Sequence, residues 1–390
     1  MWAIINIIVA ILIVIIFFVL INLSSILSVI SIKKISKSDD NHIDGPAYYM
    51  RNFGGYFFDE FIRKGGAKTE DELASFVSRK ITYGVVDIEN LSKVGGCSTF
   101  LSKTKDGHFV FGRNYDYWKT GVLICHTKPG RGRYESYSTV DVEFLNIKDG
   151  RDIKGIIDRF LLLATPYAPV DGLNEKGLAI ACLMSFQGEP DWGIPTDQQT
   201  DRPDITTTTF IRYALDYCES VDEVIDFAKR YDMHDNGNLS CHYQIADANG
   251  NSAVLEWVTG NNLTDTDGTK RELRIYKNQD SYQCLTNYII TPGYYDGLDD
   301  EQKQGLKRYE IIDKHLNSKN GEIEDVNEAM EILHSVGCRG LDFERNDVTV
   351  WSAVYDLTEK KAFWTINEHY GDKNYEYRVE LKQKKMKKAR

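Results

Sequence analysis

A cysteine, an arginine and an aspartate that could act together on a carbonyl group lie within one short stretch, Gly95 to Trp118, which reads GGCSTFLSKTKDGHFVFGRNYDYW. Two β-type runs, Ser98–Ser102 and His108–Gly112, lie on either side of Asp106-Gly107. An Asp-Gly pair between such runs is typical of a type I′ turn, which needs positive φ at both central residues. The stretch therefore predicts a β-hairpin.

A two-residue turn at this position places Cys97 directly opposite Asp116, with Arg113 and Asn114 close by. Strict alternation of side chains points Arg113 to the other face, so its approach to the thiol requires a bulge or the end of the strand. A thiol beside a carboxylate at the open end of a hairpin is a candidate nucleophile. The alternative from spacing alone is a hairpin with a structural cysteine.

A thiol nucleophile needs a base, and no histidine is suitably placed near Cys97 in the sequence. An N-terminal cysteine can use its own α-amino group, whose ordinary pKa is about 8. Cys97 is internal, so the chain must first be cut between Gly96 and Cys97. Glycine tolerates strained backbone geometry and leaves the scissile carbonyl open to attack, so Gly95-Gly96 suits this event, although an ordinary loop has the same composition.

Four further segments follow in order: DGLNEKGLAIACL at Asp171–Leu183, TTTTFIRYALDYCESVDEVIDFAKR at Thr206–Arg230, CLTN at Cys284–Asn287 and LKRYE at Leu306–Glu310. Together with the hairpin cysteine and its GRNYD, they resemble the choloylglycine hydrolase family of N-terminal-nucleophile (Ntn) amidases. That family includes bile salt hydrolases and penicillin V acylases, and it is related to acid ceramidase and N-acylethanolamine amidases. The resemblance extends over residues 97–390.

The resemblance implies roles for individual residues. Cys97 is the nucleophile, Asp116 holds its α-amine by a hydrogen bond, and Arg113 favours the thiolate. Asn287 donates from its side-chain amide to the oxyanion of the tetrahedral intermediate, and the second donor is the main-chain N–H of Met184. Bile salt hydrolases have asparagine at the position of Met184 and penicillin V acylases have tyrosine, so we expect a different contact with the substrate there.

Arg308 matches the distal arginine of the family, which is expected to organise charge near the nucleophile. Outside the family, Asn287 could cap a turn and Arg308 could lie in a surface ion pair on its helix. The predicted enzyme is an autoprocessed cysteine Ntn hydrolase that cleaves a linear, non-peptide amide through a Cys97 thioester. The amide would be of the N-acyl amino acid, bile-salt, penicillin V or N-acyl amine type.

Two other functions stay open at this point. One is a thiol protease with a Cys–His pair, for which Cys241-His242 is a candidate, although adjacent residues of a strand point to opposite faces. The other is a catalytically inactive binding domain tethered to a membrane, in which the chain would stay intact at Gly96.

The 294 residues from Cys97 onward are enough for one large catalytic domain, residues 97–390. Strands are predicted at Val122–His126, Gly177–Leu183, Tyr243–Asp247, Ala253–Val258, Arg274–Tyr276, Val348–Tyr355 and Ala362–Asn367. Helices are predicted at Ile153–Leu163, Thr207–Cys218, Val221–Lys229, Lys307–Leu316 and Val326–Ser335. Hairpins interleaved with helix pairs predict an α+β fold with two antiparallel sheets and helices outside. This plan is the four-layer αββα sandwich that the resemblance implies.

The first 32 residues carry no charged side chain and contain an unbroken apolar run from Ile7 to Leu20. This length and composition predict a single transmembrane helix over residues 1–32. A cleaved secretory signal is the alternative, but no Lys or Arg precedes the run and no small-x-small cleavage site clearly follows it. Lys33, Lys34 and Lys37 come after the run, so the positive-inside rule favours a cytoplasmic catalytic domain.

Residues 33–96 are predicted to be a linker and a prosegment. Lys37–Pro46 is polar, and residues 47–90 return to helical periodicity. Thr69 and Glu72 have the spacing of a capping box, as do Ser220 and Glu223 further along. Residues 47–90 are too few for a core of their own, so we expect them to pack on the following domain or to stay partly loose.

The net charge of −11 argues against a nucleic-acid partner, because phosphate binding needs a basic surface. The exception is the tail from Lys382, KQKKMKKAR, which is either a solvated terminus or attracted to an anionic membrane. Seven cysteines without a CxxC pair and eight histidines without ligand spacing indicate neither disulfides nor a metal site. No cofactor is expected. The expected partners are a small-molecule amide and the membrane, and a homo-oligomer stays open.

Overall fold

The computed structural model of the chain describes residues 2, 5–7, 22–36, 43–82, 84, 95–130, 132–186, 198–235, 240–259, 271–340 and 348–381. In chain order its strands are β1 (Lys33–Ser36), β2 (Ala47–Phe53), β3 (Gly96–Thr104), β4 (Phe109–Tyr117), β5 (Val122–Lys128), β6 (Ser136–Asp141), β7 (Asp171–Asn174), β8 (Ala179–Met184), β9 (Asp204–Thr206), β10 (Asp232–His234), β11 (Cys241–Ala246), β12 (Ser252–Thr259), β13 (Arg271–Lys277), β14 (Gln283–Leu285), β15 (Glu322–Ile323), β16 (Val348–Asp356), β17 (Lys361–Ile366) and β18 (Glu376–Glu380). The α-helices are α1 (Leu23–Ser31), α2 (Phe58–Arg63), α3 (Glu70–Val77), α4 (Gly155–Leu161), α5 (Thr207–Tyr217), α6 (Val221–Ala228), α7 (Leu306–Ser318) and α8 (Val326–Ser335).

Two large sheets organise these elements. The first has nine strands in the order β1-β2-β5-β6-β7-β8-β11-β12-β13. The second has seven, in the order β14-β3-β4-β16-β17-β18, with β15 paired to β3. The short strands β9 and β10 pair with each other.

The sheets face each other and the helices cover their outer faces. Strand β3 contacts β8 and β11 across the interface between the sheets. Helices α5 and α6 lie against β7, β8 and β12 of the first sheet, whereas α7 and α8 lie against β3, β4, β14 and β16 of the second. The predicted αββα layering is therefore confirmed, but the two sheets are not wholly antiparallel as predicted, because β2 runs parallel to β5 and β15 runs parallel to β3.

Buried tryptophans connect the two sheets. Trp364 of β17 donates from Nε1 to Oγ1 of Thr139 on β6 at 3.1 Å, and Trp351 of β16 donates to a carboxylate on β7. Both rings are almost completely buried, and both indole N–H groups have partners, as the interior of a protein requires. These contacts fix the separation of the two sheets around the candidate site.

The strands and helices predicted after Cys97 are all present, to within three residues at each end. Both capping boxes also form their main-chain contacts, since Thr69 accepts from the N–H of Glu72 and Ser220 from that of Glu223. The sequence did not predict β6, β7, β9, β10, β14, β15 or β18, which are short or lack a distinct period-2 pattern.

The predicted hairpin forms, but its turn differs. The N–H of Thr104 donates to the carbonyl of His108, and the N–H of Gly107 donates to the carbonyl of Thr104, both at 2.8 Å. The loop therefore has three residues, and Gly107 takes the left-handed φ of +90° that such a loop needs at its last position.

The longer loop shifts the register of β3 and β4 by one residue. Cys97 lies opposite Tyr115, and Gly96 lies opposite Asp116, so the predicted pairing of Cys97 with Asp116 is wrong. A shift of one residue exchanges the faces of a strand. As a result Arg113 projects from the same face as Cys97 without the predicted bulge.

The region before the hairpin belongs to the same sandwich. Strand β2 runs parallel to β5 over its full length, and β1 pairs with its first residues. The helical periodicity predicted for residues 47–90 is wrong for 47–53, where alternate side chains are buried as in a strand. Phe58 and Phe61 of α2 are buried in the main core, as the expected packing on the following domain requires.

The predicted transmembrane segment lies largely outside the described residues, which omit 1, 3–4 and 8–21. Within the described residues, no helix has both the length and the apolar character needed to cross a membrane. The described end of the segment forms α1, which packs against β2. The basic tail from Lys382 also lies outside the described residues.

Candidate active site

Cys97 is the second residue of β3 and points into the space between the sheets. Its side chain is 5% exposed and belongs to the main core cluster. Burial raises the pKa of the thiol, the guanidinium of Arg113 opposes this rise, and the carboxylate of Asp116 adds to it. In the intact chain the thiol is therefore mostly protonated at neutral pH, and Arg113 is the group that favours its ionisation.

Arg113 is completely buried and is held on three sides. Its Nε donates to Oδ2 of Asp171 at 3.4 Å, its Nη1 donates to the carbonyl of Asn114 at 2.9 Å, and its guanidinium lies 5.4 Å from the centre of the Tyr115 ring. Within the described part of the chain, Nη2 has no hydrogen-bond partner among nitrogen and oxygen atoms. The guanidinium is thus fixed by its other atoms while its charge acts on the thiol of Cys97.

Asp116 lies at the end of β4 with one oxygen engaged and one available. Its Oδ1 accepts from Oγ1 of Thr349 at 2.7 Å. Its Oδ2 is buried, accepts no hydrogen bond from the described residues, and lies 3.5 Å from Nη1 of Arg308. A β-carbon on Gly96 would lie only 3.0 Å from this oxygen. The available carboxylate oxygen therefore sits beside the peptide bond between Gly96 and Cys97.

Lack of space for a side chain explains the two glycines before Cys97. A β-carbon on Gly95 would lie 2.5 Å from the carbonyl oxygen of Asp116, and one on Gly96 would also lie 3.2 Å from Nη2 of Arg308. The first distance is shorter than any normal contact, and the others are tight. The close approach of the chain to the site thus requires glycine at position 95 and favours it at position 96.

Asn287 and Arg308 hold the main chain of Cys97. Oδ1 of Asn287 accepts from the N–H of Cys97 at 2.8 Å and from Nη2 of Arg308 at 2.6 Å. Arg308 also donates to the carbonyl of Cys97 and, at 2.8 Å, to Oγ of Ser98. Because Oδ1 accepts from two donors, these contacts also fix which end of the amide is oxygen. Arg308 is buried here, so the alternative of a surface ion pair is wrong.

Met184 is the last residue of β8, and its carbonyl accepts from Nδ2 of Asn287 at 2.7 Å. It lies opposite Cys241 on β11, and the next pair, Ser185 and Ser240, is joined by a hydrogen bond. Hydrogen-bonded and non-hydrogen-bonded pairs alternate in antiparallel strands, so the N–H and carbonyl of Met184 both point away from β11. The Met184 N–H therefore faces the same side as the Asn287 amide.

The arrangement brings together all six residues predicted from the sequence, from positions up to 211 residues apart. A family model described as acyl-coenzyme A:6-aminopenicillanic acid acyl-transferase matches residues 102–369, which is more than half of the chain. The chain belongs to this acyl-transferase family. The match confirms the resemblance inferred from the motifs, and it confirms an enzyme class that acts at linear amide bonds.

Several solved structures are similar in fold to this member of the acyl-transferase family. A mutant of the conjugated bile acid hydrolase from Clostridium perfringens has 16% identity, with 73% of this chain and 92% of that chain covered and a TM-score of 0.46. Penicillin V acylase from Agrobacterium tumefaciens has 18% identity, with 69% of this chain and 83% of that chain covered and a TM-score of 0.44. The Caenorhabditis elegans ortholog of N-acylethanolamine-hydrolyzing acid amidase has 16% identity, with 67% of this chain and 93% of that chain covered and a TM-score of 0.41. A search of curated protein sequences returned no match.

His242, the histidine of the thiol protease alternative, is not placed at Cys97 in this family member. One ring nitrogen lies 3.0 Å from Oε1 of Glu256, and the other lies 2.6 Å from the carbonyl oxygen of Thr286. Both nitrogens are thus engaged in a buried network that supports the loop leading to Asn287. His242 therefore does not supply the base that the protease alternative needs.

Among the described residues one group of side chains has the geometry of a metal site, Asp204, Asp232 and His234 on β9 and β10, and it does not include Cys97 or the residues around it. His234 contacts Asp204 at 2.7 Å, and both oxygens of Asp232 already accept N–H groups, from Gln198 and Thr200. The contacts within this cluster already account for its geometry.

Asp171 is the site residue that the sequence analysis did not single out. Its Oδ2 accepts from Nε1 of Trp351 at 2.9 Å as well as from Arg113, and its Oδ1 accepts from the hydroxyl of Tyr355 at 2.5 Å. The residue is completely buried. The sequence feature that could have identified Asp171 is its place as the first residue of the motif DGLNEKGLAIACL. An acidic residue that is buried there needs a cationic partner.

Proposed function

We propose that the chain is an autoprocessed cysteine hydrolase of the Ntn type, which cleaves a linear, non-peptide amide through a thioester on Cys97. The observation that carries the proposal is the environment of one peptide bond. The N–H of Cys97 donates to Oδ1 of Asn287, and the available oxygen of Asp116 lies beside Gly96. The same groups suit an α-amine, once that amine exists.

Processing is the first proposed step. Sγ of Cys97 attacks the carbonyl carbon of Gly96, the carbon–nitrogen bond breaks, and the thiol proton passes to the departing nitrogen. The product is a thioester between Gly96 and Cys97 with a free α-amine. Water then hydrolyses the thioester, which leaves a carboxylate on Gly96 and restores the thiol. Close contact of the glycines with Asp116 and Arg308 holds the bond in place for this attack.

The new α-amine supplies the base that the thiol lacks. It keeps Asn287 Oδ1 as one acceptor and gains Oδ2 of Asp116 as a second, because that oxygen accepts no hydrogen bond from the described residues of the intact chain. A neutral amine takes the thiol proton, and Arg113 favours the thiolate that results. Asp116 then stabilises the ammonium form.

Acylation follows at the substrate carbonyl. The thiolate adds to this carbon, and the oxyanion that forms is stabilised by Nδ2 of Asn287 and by the N–H of Met184. Asn287 exchanges its contact with the Met184 carbonyl for the contact with the oxyanion. The ammonium group of Cys97 protonates the leaving nitrogen as the carbon–nitrogen bond breaks. Water, with the amine again as base, hydrolyses the thioester.

The substrate class is proposed as an N-acyl amino acid, a bile-salt conjugate, penicillin V or an N-acyl amine. The names of the similar structures include a bile acid hydrolase, a penicillin V acylase and an N-acylethanolamine amidase. Met184 stands where relatives by resemblance carry asparagine or tyrosine, so its thioether replaces a polar contact with an apolar one. This change favours an acyl group without a polar atom at that point.

The test combines mass and activity. Intact mass of the purified protein should show cleavage between Gly96 and Cys97, and a panel of acyl-glycine, acyl-taurine, penicillin V and N-acylethanolamine substrates should show turnover of at least one. A chain that stays intact and turns over none of them would support the binding-domain alternative.

We also propose that the apolar run Ile7–Leu20 of segment 1–32 anchors the chain to a membrane, with α1 at the end of the segment packed on the domain and the catalytic domain on the cytoplasmic side. The support is the uncharged sequence of that segment and the lysines that follow it. Protease accessibility of the domain in sealed vesicles tests the orientation.

A further inference from the structure

Helix α1 packs on the protein through serine side chains together with Val29. The hydroxyl of Ser28 accepts from the N–H of Phe53 at 2.9 Å, and that of Ser31 accepts from the N–H of Arg51 at 2.9 Å and donates to its carbonyl at 3.0 Å. These residues lie in the part of β2 that extends beyond its pairing with β1. Serine side chains thus cover an edge of the sheet that would otherwise need a further strand.

The opposite side of α1 is apolar and faces outward. Leu23, Leu27 and Ile30 follow each other at spacings of four and three residues, which puts them on one face of the helix. They are 43%, 41% and 69% exposed. A helix on the surface of a water-soluble domain normally has the reverse arrangement, with apolar residues inward and polar residues outward.

Helix α4 repeats this inverted arrangement. Its acidic residue, Asp158, is buried, and it accepts from both Nη atoms of Arg151 and from the N–H of Lys154. Of its apolar residues only Leu161 is buried with it, whereas Ile156 is 58% exposed and Ile157 is 65% exposed. Phe160 of the same helix is also exposed.

The two helices are neighbours. Nη1 of Arg159 on α4 donates to the carbonyl of Val29 on α1 at 3.3 Å. The outward residues of these two neighbouring helices are together called the α1–α4 patch: Leu23, Leu27, Ile30, Ile156, Ile157 and Phe160. Two exposed lysines adjoin it in the chain, Lys33 just after α1 and Lys154 just before α4.

We propose that the α1–α4 patch is a membrane-binding surface of the domain itself, seated in the headgroup region of an anionic bilayer. Exposed apolar side chains grouped on two neighbouring helices mark a contact with another apolar phase. The adjoining lysines fit anionic headgroups. Chain order agrees, because the uncharged apolar run ending at Leu20 leads into α1 after only two residues. Two copies of the patch in contact would bring the lysines of both together, so a second copy fits less well.

The patch has a property that an anchor alone lacks. Its α1 half precedes the proposed cleavage site and its α4 half follows it, so residues 97–390 keep three outward apolar residues of their own after cleavage. The patch and the proposed processing are independent, since the surface is present in the intact chain.

A fluorescence experiment on the full chain tests the proposal. The substitution Ile157→Cys is labelled with a polarity-sensitive thiol probe, and the protein is reconstituted in vesicles of phosphatidylcholine and phosphatidylserine. The matched control is Lys314→Cys on α7, an exposed position on the opposite outer layer of the sandwich. Six of the seven native cysteines are buried, and the unsubstituted protein gives the background labelling.

We expect the probe at position 157 to shift to shorter wavelength and to be quenched several-fold more strongly than the probe at position 314 by lipids that carry a nitroxide near the headgroup. The pair Ile156→Ser and Ile157→Ser should reduce the same quenching at Leu27→Cys several-fold, with an unchanged thermal midpoint. Equal, weak quenching at positions 157 and 314 would overturn the proposal. A spectral shift without vesicles that grows with protein concentration would overturn it in favour of a second copy.

Discussion

Asp171 accepts a hydrogen bond from Nε of Arg113 at 3.4 Å, and both side chains are completely buried. The carboxylate is itself held by Trp351 and Tyr355, so the guanidinium is fixed from behind. The two residues come from different sheets, β7 and β4. Their contact therefore sets the position of the charge that acts on the Cys97 thiol.

The charge of Arg113 should be measurable in the pH dependence of processing. We expect the double substitution Arg113→Met and Asp171→Asn, which removes both charges, to move the rising limb of the cleavage rate to higher pH. The reason is that Arg113 opposes the burial that raises the pKa of the Cys97 thiol. Removing both partners avoids an uncompensated buried charge.

The control for this measurement is Asp171→Asn alone, which keeps the guanidinium and should not move the limb to higher pH. Cleavage rates followed by gel or mass at a series of pH values give both profiles. A double variant with the profile of the unsubstituted protein would remove Arg113 from the mechanism.

Cys97→Ala should abolish both cleavage at Gly96 and amide hydrolysis, because it removes the nucleophile of both steps. Cys97→Ser should retain slow cleavage at most, since a hydroxyl is the weaker nucleophile. Cys284→Ala is the matched control, a buried cysteine of the adjacent strand β14. Intact mass and turnover decide the outcome, and normal turnover in Cys97→Ala would refute the assignment.

Asn287→Asp is the sharpest test of the oxyanion site. It keeps the oxygen that accepts from Cys97 and Arg308 and loses the Nδ2 donor. We expect kcat to fall by about 10²–10³, the usual cost of one lost oxyanion donor. Met184→Ala keeps its main-chain N–H, so its kcat should fall far less while substrate preference changes. The reverse order of the two variants would contradict the assignment.

Asp141 should give the fold a stability that falls with rising pH. Burial raises its pKa to about 7, against about 3.9 in an unfolded chain. Between these values the folded state holds one proton more, so this contribution is complete below pH of about 4 and is lost as pH rises to about 7. The slope is at most about 1.4 kcal/mol per pH unit.

Urea unfolding at several pH values measures this slope. Asp141→Asn should flatten it in a Cys97→Ala background, where the chain stays in one piece. Asp158→Asn should change the pH dependence of the unfolding free energy in the opposite direction. Hydrogen bonds from Arg151 lower the pKa of Asp158, so the contribution of Asp158 to stability is lost as pH falls. Parallel curves for Asp141→Asn and its parent would show that Asp141 does not titrate in this range.

Local patterns predicted the fold better than they predicted its register. The strands after Cys97 follow from apolar periodicity, but the hairpin turn depends on whether Lys105 enters the loop, and Asp-Gly suits both loop lengths. That single residue decides which face Arg113 occupies. The dipeptide Asp-Gly does not tell a two-residue loop from a three-residue loop. The loop length depends instead on how β3 and β4 pack between the other layers.

The remaining features depend on contacts between distant segments. Strand β2 forms because β5 offers it an edge, which the sequence of Ala47–Phe53 does not reveal. Asp171 acquires its role from Arg113, 58 residues earlier in the chain. The resemblance predicted Asn287 as a donor, whereas in the intact chain its oxygen also binds the N–H of Cys97. Only the assembled site shows this second use.

The pairing of β2 with β5 has a consequence for the reversibility of unfolding. If the chain is cut after Gly96, β2 and the buried Phe58 and Phe61 remain in place as a separate polypeptide. The intact chain then folds as one molecule, whereas the cut enzyme must reassemble from two. We expect Cys97→Ala to recover its native circular dichroism after dilution from urea at any protein concentration. The processed enzyme should recover less of its native circular dichroism as it is diluted further, because its two polypeptides must meet before they can fold together. Cleavage thus makes refolding depend on concentration, whereas folding of the intact precursor does not.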